Sequence, residues 1–265
     1  MKLEITHTTS YSYDKPVTYA LQQIRLTPSS NAQQSVGNWS VEIHGGIAEL
    51  EYDDQFGNHT MLVQAEPGVT EVRFNAHGTV DTNDTSGVTG KAQGLAPLWL
   101  FTQNTERTTP GKKVRKLAKI LGKSDNLLNN LHDLSREIIK AVPYQTDSTF
   151  AETTAEEALA AKAGVCQDHA QIFVSAARHA GVPARYVSGY LMMDDRIDQD
   201  ASHAWAETYI EELGWVGFDV SNRISPDERY VKLATGLDSR SAAPISGMRI
   251  GEGNETMIVS LQVQQ

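Results

Sequence analysis

The segment AGVCQDHAQIFVSAARHAG, residues 163–181, decides how the second half of this sequence is interpreted. Its small and apolar residues recur at helical spacing, which predicts an amphipathic helix with one face formed by Phe173, Ala176, Ala177 and Ala180. Gly181 and Pro183 then end the helix. The first turn of this helix contains Cys166, the only cysteine of the chain. Because a free thiol can be oxidised or cross-linked, its retention calls for a reason.

The start of a helix favours a reactive cysteine. Unpaired N–H groups and the positive end of the helix dipole stabilise a thiolate, which is the nucleophilic form. The same N–H groups could hold the oxyanion of an acyl-transfer intermediate. Gly164 would leave room for a substrate backbone. The alternative for Cys166 is a buried, inert cysteine.

A cysteine nucleophile needs a base, and the same helix does not supply a good one. His169 lies three residues after Cys166, but a side chain on the next turn rarely reaches the in-line geometry that a base requires. A zinc site built from Cys166, Asp168 and His169 lacks a fourth ligand at usable spacing. We therefore predict neither a metal nor a cofactor.

His203 is the better candidate for the base. In SHAWAETYI, residues 202–210, the period of a strand puts His203, Trp205, Glu207 and Tyr209 on one face. The strand WVGFDV follows after a short loop, so the two should form a hairpin. Trp205 is expected to pack on the sheet rather than to take part in chemistry.

The register of this hairpin decides whether Asp219 can serve His203. A two- or four-residue loop would pair Asp219 with a residue on the opposite face. A three-residue loop at residues 211–213, with Gly214 as the bulge residue, pairs Asp219 with Trp205 and places it diagonally next to His203. The sequence thus favours a Cys–His–Asp arrangement, the alternative being an aspartate that only caps the strand end.

The rest of the chain predicts two parts. Residues 1–75 alternate in short stretches separated by turn residues, as in a β-sandwich, and residues 76–94 are polar and glycine-rich, as in a loop or linker. Helices follow, one capped by Asp125 and one opened by the capping box of Thr154 and Glu157, before the final strands. We expect an α+β fold with a β-rich domain and linker at 1–94 and a second domain at 95–265 that includes the C-terminal strand.

Composition narrows the class of partner. The net charge of −10 argues against nucleic acid and anionic membranes, whose phosphates would repel the chain. The basic run at residues 112–119 is more typical of a solvated helix face than of a binding site. The first residues lack the apolar region of a signal peptide, and no apolar run approaches the roughly 20 residues that span a bilayer. Together with a single cysteine, these features predict a cytoplasmic protein.

The stretches GVCQDHAQIFVSAARHAGVPARYVSGYL and HAWAETYIEELGWVGFDVSN resemble the transglutaminase-like superfamily. They are most similar to its bacterial members that are regarded as candidate cysteine proteases. The beginning, ITHTTSYSYDKPVTYALQQIRLTP with DDQFGN after it, resembles the β-rich N-terminal domain of those proteins, and the final GMRIGEGNETMIVSLQVQ also fits. The resemblance therefore covers nearly the whole chain, with three spaced signatures in the family's order.

The resemblance implies a papain-like transglutaminase core with Cys166, His203 and Asp219 at the triad positions. It implies thiol-dependent acyl transfer on a peptide or protein substrate, most simply peptide or amide hydrolysis, with a protein-glutamine transglutaminase or a non-catalytic binding module as alternatives. Tyr144 matches a recurrent aromatic position, where it could contact substrate or oxyanion or else belong to the core. Gln167 is family-typical at the helix start and is a second candidate for that role.

Two positions depart from the family's pattern. His169 stands where an aromatic residue often follows the Gln–Asp pair, which we treat as a neutral change. Asp219 is followed by Val220 and Ser221 instead of the frequent Pro–Thr, which weakens a tight turn but keeps the carboxylate.

Overall fold

The computed structural model describes residues 1–91, 94–122 and 124–265. Its strands are β1 (Lys2–Tyr13), β2 (Tyr19–Thr27), β3 (Gln34–His44), β4 (Gly46–Asp53), β5 (His59–Ala65), β6 (Glu71–Thr82), β7 (Val88–Gly90), β8 (Ala184–Leu191), β9 (Asp198–Gln199), β10 (His203–Ile210), β11 (Gly214–Phe218), β12 (Tyr230–Gly236), β13 (Ile245–Ile250) and β14 (Glu255–Gln264). Its α-helices are α1 (Lys112–Ala118), α2 (Leu127–Ala141), α3 (Ala155–Ala161) and α4 (Cys166–His179). Short 3₁₀ turns cover Leu98–Thr102 and Lys119–Gly122.

Two sheets form the first part of the molecule. One has the strand order β3-β6-β1-β14-β9 and the other the order β13-β2-β5-β4. Strand β1 alternates strictly between buried and more exposed residues, so one of its faces lies in an apolar core. That core contains Leu3, Ile5, Ile24, Val63, Phe74 and Val80.

A third sheet, of order β12-β8-β10-β11-β7, carries the helices of the second part. Helix α4 packs against β10, and α1, α2 and α3 surround α4. Phe173 of α4 stacks on Phe218 of β11 with ring centroids 5.1 Å apart. The helix is therefore almost fully buried, which fixes the position of its first turn against the end of β10. Helices on an antiparallel sheet confirm the predicted α+β class.

The segment 76–94 is not the loop that its composition predicted. Strand β6 continues to Thr82, and β7 pairs with β11 and joins the sheet of the second part. Val80 and Thr82 alternate with exposed residues and are buried, so the period of two outweighs the turn-forming composition. Positions 92 and 93 of this predicted linker lie outside the described residues.

The last two strands return to the first part of the molecule. Strand β13 pairs with β2, and β14 pairs with β1 over its whole length. The final strand, which we assigned with the second domain, is thus hydrogen-bonded to the sandwich, because its regular alternation completes the sheet beside β1. The domain limits themselves, 1–94 and 95–265, stay a prediction.

The helix starts were predicted with one error. Thr154 and Glu157 form the predicted capping box at α3. Helix α2 begins one residue later than expected, since Asn126 and not Asp125 accepts from the N–H of Asn129.

Among the described residues, no helix combines the length and apolar character that crossing a membrane would need.

Candidate active site

Cys166 is the first residue of α4 and is partly exposed. The turn before it is held by Asp168, whose Oδ2 accepts from the N–H of Val165 at 2.8 Å and from the hydroxyl of Thr149 at 2.7 Å. A side chain at Gly164 would meet Asp168 at 2.8 Å. The glycine therefore makes room for this buried carboxylate, while the room that we expected it to leave for a substrate backbone stays a prediction.

The predicted register of the hairpin is confirmed. Gly214 opens β11 with a φ of +80°, a left-handed conformation that a glycine adopts without strain. Ile210 pairs with Gly214 and Ala206 with Phe218, so Asp219 follows at the position opposite Trp205. There the backbone of Asp219 leaves the ladder and bridges to Ile224 instead. His203 and Asp219 end up on one face at the end of the hairpin.

His203 and Asp219 form a short, buried hydrogen bond. Nε2 of His203 donates to Oδ2 of Asp219 at 2.6 Å, since an ionised carboxylate can only accept. Both side chains are buried. The remaining ring nitrogen, Nδ1, is left for the thiol of Cys166, with which His203 also interacts. The structure thus brings together the three residues that the sequence singled out.

Asp219 has further partners that the sequence did not reveal. Its Oδ2 also accepts from the hydroxyl of Tyr230 at 2.7 Å and from the side-chain amide of Asn222 at 2.7 Å, while Oδ1 accepts from the N–H of Asn222 at 3.1 Å. Four donors stabilise the ionised form of one buried carboxylate. Burial acts in the opposite direction, but the bond from His203 and these other donors outweigh it, so the pKa of Asp219 is lowered.

The environment of His203 favours its protonated form. Burial on its own would lower the pKa of the imidazole. The negative charge of the Cys166 thiolate, the hydrogen bonds to Asp219 and Cys166, and the charge of Asp219 outweigh this and raise the pKa of His203 to about 10. The site therefore favours a protonated imidazole at His203, beside Cys166.

A cleft of about 780 Å³ opens above Cys166 and His203. One wall is the segment between β8 and β10, including Met193, Arg196 and residues 198–202. The strand β9 within this wall pairs with β14, and Gln262 of β14 donates to Asp198 at 2.8 Å. The sandwich therefore holds one wall of the cleft in place.

The two other candidate residues occupy different positions. Tyr144 lines the cleft and is half exposed, and burial, together with the charges of Cys166 and Asp219, raises the pKa of its phenol. The side-chain amide of Gln167 faces the carbonyl oxygens of Phe150 and Ala151 at 3.4 and 3.3 Å. The N–H groups of Cys166 and Gln167 belong to the first turn of α4, which has no preceding helical carbonyl to bond.

His169 cannot serve Cys166 in this arrangement. It is fully buried, with Nδ1 2.8 Å from the hydroxyl of Ser221 and Nε2 2.8 Å from the carbonyl oxygen of Val142. Both ring nitrogens are engaged, and burial lowers the pKa of the imidazole. His169 therefore connects α4 to the loop after Asp219. Its partner in that loop is Ser221, at the position where the resemblance leads one to expect threonine.

Trp205 is buried and packs, as expected, on the sheet beside His203. Its ring stacks at 6.3 Å from that of His203 and meets the edge of Tyr230 at 5.5 Å. The described residues contain no group of three or more side chains placed to hold a metal ion.

Two family models match the chain. The transglutaminase-like superfamily matches residues 115–220, which contain Cys166, His203 and Asp219, and the bacterial transglutaminase-like N-terminal region matches residues 3–81. The second part of the chain therefore contains a transglutaminase-like core, and the first part contains a bacterial transglutaminase-like N-terminal region. The resemblance read from the motifs is confirmed for both parts of the molecule.

Individual proteins and solved structures are also similar to this chain. An uncharacterized protein of Mycobacterium leprae is 26% identical over 99% of this chain and 98% of its own length. A protein-glutamine gamma-glutamyltransferase of Pseudomonas aeruginosa is 30% identical, but over only 33% of this chain and 15% of the enzyme. A solved structure of a candidate cysteine protease from Cytophaga hutchinsonii has a TM-score of 0.78 and 24% identity, covering 100% of this chain and 90% of that one. At this level of identity, the similarity to the Cytophaga hutchinsonii structure shows the fold alone.

Proposed function

We propose that this protein is a cysteine hydrolase that cleaves peptide or amide bonds through a thioester on Cys166. The observation that carries the proposal is the 2.6 Å bond between His203 and a fourfold-satisfied Asp219, at the end of the sheet against which the start of α4 is packed. A purely structural aspartate would not need an imidazole that also interacts with the only thiol of the chain.

The proposed chemistry has two halves. The thiolate of Cys166 attacks the amide carbonyl carbon, and N–H groups of the first turn of α4 donate hydrogen bonds to the developing oxyanion. The C–N bond then breaks as the imidazolium of His203 gives its proton to the leaving amine. Water next attacks the thioester, His203 takes a proton from it, and the thiolate leaves with release of a carboxylic acid. Asp219 holds the ring by its Nε2 throughout.

The acceptor in the second half distinguishes hydrolysis from amine transfer. The cleft is wide, and its wall at residues 198–202 is polar, so water has access to the thioester. Water at its bulk concentration outcompetes dilute amines unless a site concentrates them. This favours hydrolysis of a peptide or protein substrate.

Amine transfer is the second candidate function, because three carboxylates, Asp147, Asp198 and Asp200, also line the cleft and could attract a lysine amine. The short match to a protein-glutamine gamma-glutamyltransferase points the same way.

Incubation with casein and a fluorescent cadaverine separates the two reactions. Hydrolysis predicts newly formed free acids that exceed incorporated amine, with both lost in Cys166→Ala. Incorporated amine in excess of free acid, again dependent on Cys166, would make the protein a transglutaminase. Iodoacetamide labelling of Cys166 tests the third possibility, a silent binding module: a thiol that reacts no faster than free cysteine would contradict catalysis.

A further inference from the structure

One part of the cleft above Cys166 is lined by uncharged residues. They belong to β8 and to the segment that follows β12, and they are Tyr186, Ser188, Ser239, Ala243 and Pro244. We call this part the inner pocket. The carboxylates and the arginine of the cleft come from other segments, at positions 147 and 196–200. A ligand that enters the inner pocket therefore meets hydroxyl groups and apolar surface.

Two of the three side-chain hydroxyls in the inner pocket use their hydrogen within the protein. Ser188 donates to the carbonyl oxygen of Ala242 at 2.5 Å. Ser239 donates to Oε1 of Gln171 at 3.1 Å. The hydroxyl of Tyr186 differs, because it has no hydrogen-bond partner among the described residues. It is the side-chain donor that the inner pocket leaves free.

A buried hydroxyl without a partner is unusual. Tyr186 is only 4% exposed, and buried polar groups are nearly always hydrogen-bonded, since an unpaired one loses the bonds it makes with water. Tyr190 of the same strand follows this rule, with its hydroxyl 2.9 Å from Nδ1 of His7. Tyr230 of the neighbouring strand also follows it, through its bond to Asp219. The free hydroxyl of Tyr186 therefore indicates a ligand that bonds it.

Tyr186 lies next to the nucleophile. Its ring belongs to a small apolar cluster with Ala170, Ala204 and Ala242, and Cys166 packs against this cluster. The charge of Cys166 also acts on the phenol. A ligand that is bonded to Tyr186 therefore lies beside the sulfur that attacks in the proposed reaction.

The surroundings of the phenol favour an uncharged acceptor. Burial, followed by the charges of Cys166 and Asp168, raises the pKa of Tyr186 well above its usual value, so the hydroxyl keeps its proton and donates. The same negative charges oppose an anionic ligand, while Arg107 and Asp238 act on the phenol with opposite signs. The carbonyl oxygen of a peptide accepts hydrogen bonds and carries no net charge, so it meets both conditions.

On the basis of the proposed hydrolase function, we propose that the inner pocket binds the acyl part of the substrate through the hydroxyl of Tyr186. This hydroxyl donates to the carbonyl oxygen of the peptide bond that precedes the attacked residue. The oxygen of the attacked carbonyl is a different one, held by the N–H groups at the start of α4. Tyr186 is thus a substrate-binding residue that acts before the chemical step. The substrates are peptides with an uncharged residue on the acyl side of the scissile bond.

Two reagents that alkylate Cys166 separate binding from reactivity. N-acetylalanine chloromethyl ketone carries an acetyl carbonyl in place of the preceding peptide bond, whereas iodoacetamide has no acyl part. Each forms an S–C bond with Cys166 and releases its halide. Tyr186→Phe should raise the saturation constant of the ketone about 3- to 10-fold and leave its limiting rate and the iodoacetamide rate unchanged. Tyr209→Phe is the control that should change none of them, because its ring packs on Trp215 away from the cleft.

Two results would overturn the role of Tyr186. One is an equal saturation constant in wild type and Tyr186→Phe. The other is a lower limiting rate at an unchanged saturation constant, which would place the hydroxyl on the oxyanion. An iodoacetamide rate no faster than that of free cysteine would contradict the hydrolase function instead, and the saturation constants would still test the inner pocket.

The charge of the reagent tests the choice of ligand. The chloromethyl ketone of N-acetylaspartate should saturate the wild type only at higher concentration than the alanine reagent, because its carboxylate meets the negative charges around Tyr186. Equal saturation constants for the two reagents would contradict an inner pocket for uncharged residues.

Stability provides an independent readout. Because the hydroxyl of Tyr186 has no partner within the protein, Tyr186→Phe should not lower the denaturant concentration at the midpoint of unfolding. Tyr190→Phe removes the bond to His7 and should lower it. A decrease for Tyr186→Phe as large as that for Tyr190→Phe would show that the hydroxyl is bonded within the protein, and the proposal would be wrong.

Discussion

The hydroxyl of Tyr230 donates to Oδ2 of Asp219 at 2.7 Å, the same oxygen that accepts from Nε2 of His203. Strand β12 thus stabilises the carboxylate that orients the proposed base. Hydrogen bonds to a charged group are among the stronger ones in proteins, at about 1.5–3 kcal/mol.

Tyr230→Phe should therefore lower the proposed activity without unfolding the protein. The loss of one of four donors to Asp219 should reduce the rate of peptide hydrolysis, or the rate of Cys166 alkylation, about 10- to 100-fold. Tyr209→Phe is the matched control, because that ring packs on Trp215 away from the site. Equal rates for the two variants would show that the hydroxyl of Tyr230 does not contribute to the reactivity of the site.

Asp219→Asn should weaken activity less completely than Cys166→Ala. An asparagine can still position the ring of His203, whereas the alanine removes the covalent route itself. Residual hydrolysis should be measurable in the first variant and absent in the second, with both folded by circular dichroism. Equal and total loss in both would contradict the division of roles between nucleophile and orienting residue.

The raised pKa of His203 predicts how stability varies with pH. Folding raises this pKa from 6.5 to about 10, so the folded protein holds a proton that the unfolded chain loses. The stabilisation is fully present below about pH 6.5 and is lost as the pH rises through about 10. The difference in free energy of unfolding between wild type and His203→Gln, measured with denaturant, should shrink across that window. A difference that grows with pH would contradict the assigned cause.

Gly164→Ala should destabilise the turn before α4. The added methyl would lie 2.8 Å from the side chain of the fully buried Asp168, so the carboxylate that caps the helix must move. We expect a loss of about 1–3 kcal/mol in thermal or chemical unfolding. Gly122→Ala is the control, since no atom of the described residues lies within 4 Å of its added methyl. An unchanged stability of Gly164→Ala would show that the turn accommodates the added methyl without displacing Asp168.

The hairpin that positions His203 could be predicted because its decisive residue is local. Gly214 fixes the loop length, and the loop length fixes which face Asp219 occupies. The start of α4 was predictable for the same reason, from a glycine turn followed by an apolar face of helical period.

The remaining contacts of the site join segments that no sequence pattern predicts to be neighbours. Tyr230 reaches Asp219 only because the chain turns back at Ile224 and returns as β12, and no periodicity marks that return. The polar stretch after residue 76 was misjudged because its composition is that of a loop. Strands β6 and β7 form in this stretch because they pair with β1 and β11. That pairing is visible only in the tertiary structure.

In the proposed reaction Cys166 forms a thioester, and water then hydrolyses that thioester. Casein peptides incubated with the protein in ¹⁸O-labelled water, with and without a primary amine, test it most directly by mass spectrometry. We expect one ¹⁸O in each newly formed carboxyl group, only minor amide product when the amine is present, and neither product with Cys166→Ala. Products formed equally by Cys166→Ala, or no product from the folded wild type, would contradict it.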